Sequence, residues 1–161
     1  MKGRAWENAL RIWHDRYRAQ RLAAVWRTPN EVIPMGGPNA RGVFPARFGG
    51  DGPPDFMGVR QGRSLMFDAK DTEGRAWSFS DLELHQAMDL EAHQVNGGLA
   101  FLVVRTSAGS FVATWSRLGP RWWAWHETAG RAAKGTASIT VDDDDVIPMV
   151  EPGDWLSVLP W

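Results

Sequence analysis

Six consecutive apolar residues, Leu99-Ala100-Phe101-Leu102-Val103-Val104, constrain the fold more than any other stretch. A run this short and this apolar, with β-branched and aromatic members, reads as a buried strand. Ser110–Trp115 follows as its hairpin partner across Ser107-Ala108-Gly109. The cover for a buried sheet comes from two helical patterns. In residues 4–21, Trp6, Leu10, Trp13 and Tyr17 recur at helical spacing as one apolar stripe, with Glu7 beside it and Arg4, Arg11, Arg18 and His14 on its flank. In residues 81–95, Leu82, His85, Met88 and Ala92 repeat in the same way, and Gly97-Gly98 ends the helix.

Leu22 to Arg27 is a first short strand, ended by Pro29. Residues 28–54 are rich in proline and glycine, and a loop this long inside a compact domain is functional or disordered. Val43, Phe44 and Phe48 within it point to packing or pairing. Asp55–Arg60 and Arg63–Asp71 read as two strands around Gln61-Gly62. The order helix, strand, loop, hairpin, helix, strand, strand predicts an α/β domain with a central mixed sheet. Beyond residue 120 the pattern fades: Trp122, Trp123 and Trp125 cover one edge of the core, and Asp142–Asp145 reads as a solvated acidic run.

At 161 residues with 43% hydrophobic side chains, the chain suits one domain and is no disordered tail. No apolar run approaches the roughly 20 residues that span a bilayer, and the charged first helix is no signal peptide, so a cytoplasmic setting is expected. The absence of cysteine excludes disulfides, thiol nucleophiles and cysteine-based zinc sites. The net charge of −1 argues against a nucleic-acid partner only until it is resolved along the chain. Residues 1–80 carry 13 basic and 8 acidic side chains, and residues 81–161 carry 5 and 11. Fifteen of the 18 cations are arginine. That is either a compositional bias or a surface suited to gripping phosphates bidentately.

With Gln61-Gly62 as a two-residue loop, Arg60 faces Arg63 and Asp55 falls directly opposite Asp68. Lys70 shares the face of Asp68, while Phe56, Leu65, Phe67 and Ala69 take the other. Two carboxylates about 5 Å apart repel unless a cation lies between them. Oxygen ligands without cysteine or paired histidine favour Mg²⁺ or Mn²⁺, the setting for phosphodiester hydrolysis. Lys70 can then orient water or stabilise charge on the phosphate. Glu7 offers a further carboxylate from the first helix. The bland alternative is an ordinary hairpin with a surface Asp–Lys pair. Asp71 alternates to the wrong face, His85 caps or packs, and Gln86 can face the site from the second helix.

Pro54-Asp55 followed by Asp68-Ala69-Lys70 resembles the PD-(D/E)xK nuclease motif, with Asp where Glu often stands. Gly3-Arg4-Ala5-Trp6-Glu7, Asp55-Phe56-Met57-Gly58-Val59, Phe67-Asp68-Ala69-Lys70-Asp71-Thr72, Leu84-His85-Gln86 and Gly97-Gly98-Leu99-Ala100-Phe101 occur in the order seen in RecU-type Holliday junction resolvases. The chain is similar, more loosely, to the archaeal Hjc resolvases and their bacteriophage relatives. The resemblance implies a restriction-endonuclease-like α/β core, its central mixed sheet flanked by helices, with a protruding stalk-like loop at about 30–53. It further implies a nuclease domain over residues 1–127 and an acidic, partly mobile extension over 128–161 with no counterpart. The implied activity is that of a homodimeric, Mg²⁺-dependent endonuclease, served also by Mn²⁺, that nicks opposed strands of four-way junction DNA. No small-molecule cofactor or membrane is implied, and the implied source is the bacterial cytoplasm or a phage. By position, Asp55, Asp68 and Glu7 become the metal-site carboxylates and Lys70 the catalytic lysine. Arg4, Arg11, Arg18, Arg41, Arg47, Arg60, Arg63 and Gln86 become candidates for gripping DNA. A flap or duplex-end nuclease of the same motif class, and a catalytically silent junction-binding protein, are the alternatives.

Overall fold

A computed structural model describes residues 4–50, 52–128 and 137–161. Its elements are α1 (Arg4–Ala19), β1 (Ala24–Arg27), β2 (Val32–Pro34), β3 (Ala46–Phe48), β4 (Phe56–Arg60), β5 (Arg63–Asp71), β6 (Ala76–Ser78), α2 (Leu84–Val95), β7 (Leu99–Thr106), β8 (Gly109–Thr114), α3 (Trp115–Glu127), β9 (Ser138–Thr140) and β10 (Ile147–Pro148). Six strands form the central sheet in the order β1-β4-β5-β7-β8-β10. Strand β5 pairs with β7 in parallel, as the intervening helix α2 requires, and the other pairings are antiparallel. The sheet is therefore mixed and flanked by helices, as expected.

The apolar run Leu99–Val104 lies in the buried β7 near the middle of this sheet, and its side chains serve two cores. Phe101 and Val103 join Trp6, Leu10, Tyr17, Phe56 and Phe67 beneath α1. Ala100, Leu102 and Val104 join Ala87, Leu90, Trp115, Leu118 and Trp122 beneath α2 and α3. Burial of Trp6, Leu10 and Tyr17 follows from the helical spacing of that stripe. Trp6 Nε1 also donates to the carbonyl of Val103 at 3.2 Å, which pins the first turn of α1 to the sheet.

The proline- and glycine-rich insertion contains a small ribbon of its own, with Val32, Ile33 and Pro34 paired to Phe48, Arg47 and Ala46. The pairing expected there is present, whereas Val43 and Phe44 stand 61% and 43% exposed. Residues 129–136 of the expected extension lie outside the described residues, and of the remainder Met149, Trp155, Leu156 and Leu159 belong to the first core. Strand β10 adds to the sheet edge, and Trp155 is fully buried against Phe67, Phe101 and Tyr17. The acidic run read as solvated is an ion-pair partner instead. Asp143 and Asp145 lie 2.8 and 2.9 Å from Arg121 of α3, so a cation on one element consumes the charge of the other. Among the described residues no helix is long and apolar enough to cross a membrane.

Candidate active site

The site lies where β4 begins and β5 nears its end. Gln61 and Gly62 both take positive φ, 48° and 81°, the geometry of a two-residue turn whose twist matches the flanking strands. Arg60 consequently pairs with Arg63 and Phe56 with Phe67, which brings Asp55 level with Asp68. Each carboxylate then ties down the other's strand. Asp68 Oδ1 accepts from the Asp55 amide at 3.1 Å, and Asp55 Oδ2 accepts from the Ala69 amide at 3.0 Å. Asp68 is only 1% exposed. Lys70 Nζ lies 2.5 Å from Asp68 Oδ2 and donates to Gln86 Oε1 at 3.0 Å.

Gln86 sits in the first turn of α2, and its Oε1 also accepts from the Glu83 amide at 3.2 Å, so one oxygen serves both the helix start and the lysine. Gln86 thus faces the site, as the helical spacing suggested, and its contact there is Lys70. Asp71, excluded by strand alternation, is indeed turned away. It holds Arg105 through two hydrogen bonds of 2.8 and 2.6 Å.

The two carboxylates crowd each other electrostatically. Burial first, and then the neighbouring Asp68 charge, push the Asp55 carboxyl up to about 7, against the opposing pull of the Ala69 N–H. A carboxylate pair in this state either shares a proton or gains from a cation. Glu7 reaches the same corner from α1, and its charge adds to the upward shift of Asp55. Its Oε2 lies 2.7 Å from Arg27 Nη2 at the end of β1. That contact is an ion pair without hydrogen-bond alignment, and Oε2 is left with no hydrogen-bond donor.

Strand β1 adds a residue that the sequence did not reveal. Thr28 follows Arg27, its amide donates to the Asp55 carbonyl at 2.8 Å, and its buried Oγ1 has no hydrogen-bond partner. Of the three such orphan atoms among the described residues, two belong to Glu7 and Thr28 in this corner. A crowded carboxylate pair made only of hard oxygen donors suits a hard divalent cation. Among the described residues, no three acidic or histidine side chains are already gathered tightly enough to enclose one. Asp55 and Asp68 adjoin, while Glu7 is turned to Arg27. Nothing local signals Thr28 or Arg27, because the whole proline-rich insertion separates β1 from its partner β4.

The candidate DNA-gripping arginines occupy separate places. Arg11 and Arg18 lie along α1, and the side chain of Arg4 lies outside the described residues. Arg41 and Arg47 belong to the insertion, exposed. Arg60 and Arg63 flank the tight turn, five residues or about 17 Å along the hairpin from the carboxylates.

The sequence is similar to that of known proteins. The sequence model of the family described as recombination protein U, RecU, matches residues 1–142. The Holliday junction resolvase RecU of Leuconostoc mesenteroides is 28% identical over 109 residues, 65% of this chain and 53% of the relative. That of Geobacillus kaustophilus is 26% identical over 137 residues, 81% of this chain and 68% of the relative. A solved structure, the Holliday junction resolvase Hjc of Archaeoglobus fulgidus, is similar over 81% of this chain and 86% of its own, with a TM-score of 0.44 and 11% identity. The chain spans about half to two thirds of the length of the curated relatives it matches. With its matched region running from the first helix through β9 and including every residue of the site, the chain belongs to the RecU family.

Proposed function

We propose that this chain is a Holliday junction resolvase: an Mg²⁺-dependent endonuclease, served also by Mn²⁺, that nicks opposed strands of four-way DNA junctions. The observation that carries this reading is the half-buried Asp55 beside the buried Asp68, with Lys70 between Asp68 and Gln86. A pure binding protein gains nothing from carboxylates crowded beside DNA, whereas phosphodiester hydrolysis needs them. Asp55 and Asp68, joined by Glu7 once it leaves Arg27, would hold the cation. When bound, Mg²⁺ supplies a Lewis acid and a water of lowered pKa.

The chain's own groups do the rest. Lys70, its side chain largely withdrawn from solvent and fixed at two points, presents its ammonium group toward the phosphate and stabilises the negative charge that builds there. Gln86 keeps that group aimed, since its oxygen is itself anchored on the Glu83 amide. The Thr28 hydroxyl, buried and without a partner here, would meet a water or a phosphate oxygen only once Glu7 leaves Arg27 and the corner opens. A two-fold dimer sets two such sites on symmetry-related strands, which yields paired nicks in the cytoplasm of a bacterium or a phage-infected cell.

The test is cleavage in Mg²⁺ of a four-way junction, a flap and a plain duplex. The resolvase reading expects the junction to be cut at least about tenfold faster than either, a difference worth about 1.4 kcal/mol in the transition state. Equal cutting of all three points to a general nuclease of the same motif class. Tight junction binding without cutting points to a silent binder.

A further inference from the structure

Arginine is spread through this chain, but along one border it is organised. Strand β1 forms one edge of the sheet, and three hollows follow one another between it, α1 and the C-terminal segment. The first, about 190 Å³, is lined by Arg11, Asp15, Arg18 and Arg27, and so shares Arg27 with the Glu7 ion pair. The second, about 240 Å³, shares Arg18 and adds Arg21 and Arg60. The third, about 470 Å³, shares Arg60 and adds Arg16 and Asp154. Six guanidinium groups thus line a continuous path against two carboxylates. Of those two, Asp154 is already engaged by the Tyr17 hydroxyl at 2.7 Å.

Several of these groups are held in place before any ligand arrives. Arg16 lies over the Trp13 ring at 4.7 Å and Arg60 over the Trp161 ring at 3.7 Å. Arg18 donates to the Val25 carbonyl at 2.9 Å while remaining 52% exposed, and Arg27 is 55% exposed. Trp161 and Asp154 come from beyond residue 142, where the family match ends, so this chain's own C-terminal segment builds the far end of the path. A planar, oriented guanidinium matches a phosphate through two parallel hydrogen bonds. From Arg11 to Arg18 the path runs about 10 Å along α1, and Arg21 follows just past the end of the helix.

We infer that this α1–β1 border seats the backbone of a duplex DNA arm, from Arg27 at the carboxylate site to Arg60 and Arg16 at the tight turn. The inference rests on the resolvase reading for its substrate and extends it by naming the surface along which the arm lies. The contacts are to phosphate, so the seat is indifferent to base sequence.

Salt dependence tests this. Binding of a labelled, immobile four-way junction is measured by fluorescence anisotropy in EDTA, where no cutting intrudes, as salt rises from about 50 to about 200 mM. Arg11→Gln, Arg21→Gln and Arg60→Gln are each expected to weaken binding several-fold at the lower salt. Each is also expected to reduce the slope of log K against log salt by about 0.9, the release of roughly one counterion. Arg11→Lys keeps the slope. Arg117→Gln, on α3, serves as the control and leaves both quantities unchanged. Border variants that bind with the wild-type slope, or an equal loss in Arg117→Gln, overturn the inference. Nicking by the wild-type protein in Mg²⁺ is read separately. Nicking with unaltered border-variant binding removes only the seat, and the expected slopes without any nicking remove only the resolvase reading.

Discussion

Asp55 carries opposing demands in one side chain. Its carboxylate accepts from Ala69 and so helps hold the hairpin, yet burial and Asp68 make its charge costly without a cation. Because its folded value is raised to about 7, the metal-free protein gains from protonating it. That gain is full below the ordinary carboxylate range and is lost as pH rises through about 7. Asp55→Asn keeps an acceptor and removes the charge. It is therefore expected to stabilise the metal-free protein at pH 8 by about 1–3 kcal/mol, with the gain fading toward pH 5, while abolishing cleavage. Urea midpoints at the two pH values, with EDTA present, check the sign. Thr28→Val tests the orphan hydroxyl in a similar way. Removing a buried polar atom that has no partner should leave stability unchanged or raised by about 1 kcal/mol, and junction cleavage should fall about tenfold. A cleavage rate equal to the wild type would show that Thr28 takes no part. The Asp55–Asp68 register was legible in the sequence because a tight turn and strict alternation fix it from local residues. Thr28 was not, since its place depends on a pairing made across the insertion.

At the scale of elements, the site depends on how closely β1 approaches β4. Gly58 permits that approach: a Cβ there would stand 2.6 Å from the Ala24 carbonyl oxygen and 3.1 Å from Val25 Cγ2. Gly58→Ala is expected to push β1 outward, taking Arg27 and Thr28 with it. The predicted cost is about 1–3 kcal/mol of stability, as overpacking brings, together with weaker junction binding. Thermal unfolding and anisotropy on the same variant measure both, and unchanged binding despite lost stability would separate β1 from the DNA. The hairpin of β4 and β5 and the buried β7 could be read from sequence because each is signalled within about ten residues. The six-strand order could not, because the pairings of β1 with β4 and of β10 with β8 join segments far apart in the chain.

For the whole molecule, the C-terminal segment shows where sequence patterning fell short. It has no period to read, yet Trp155 fills the first core and its indole donates to His14 Nε2 at 3.1 Å. His14, wedged against Phe56 and Phe67, has its pKa driven down to about 3 by burial and then by Arg18. A depressed imidazole contributes stability that is present above pH 6.5 and lost as pH falls toward 3. The expected loss is about 2 kcal/mol between pH 7 and pH 5, and His14→Gln should flatten that part of the profile. Charge follows a similar logic at this scale. The near-zero total conceals a basic half that holds every candidate site residue except Gln86, and an acidic half whose aspartates at 143 and 145 are spent on Arg121.

A cutting site formed by Asp55, Asp68 and Lys70 in a junction-selective nuclease shows itself in the nicks mapped on all four end-labelled strands of an immobile junction. In Mg²⁺ the wild-type protein should leave two symmetric nicks on opposed strands, absent in EDTA and absent in Asp68→Asn and Lys70→Ala proteins that still bind the junction. Cuts scattered over all four strands, or nicks that persist in Asp68→Asn, would contradict it.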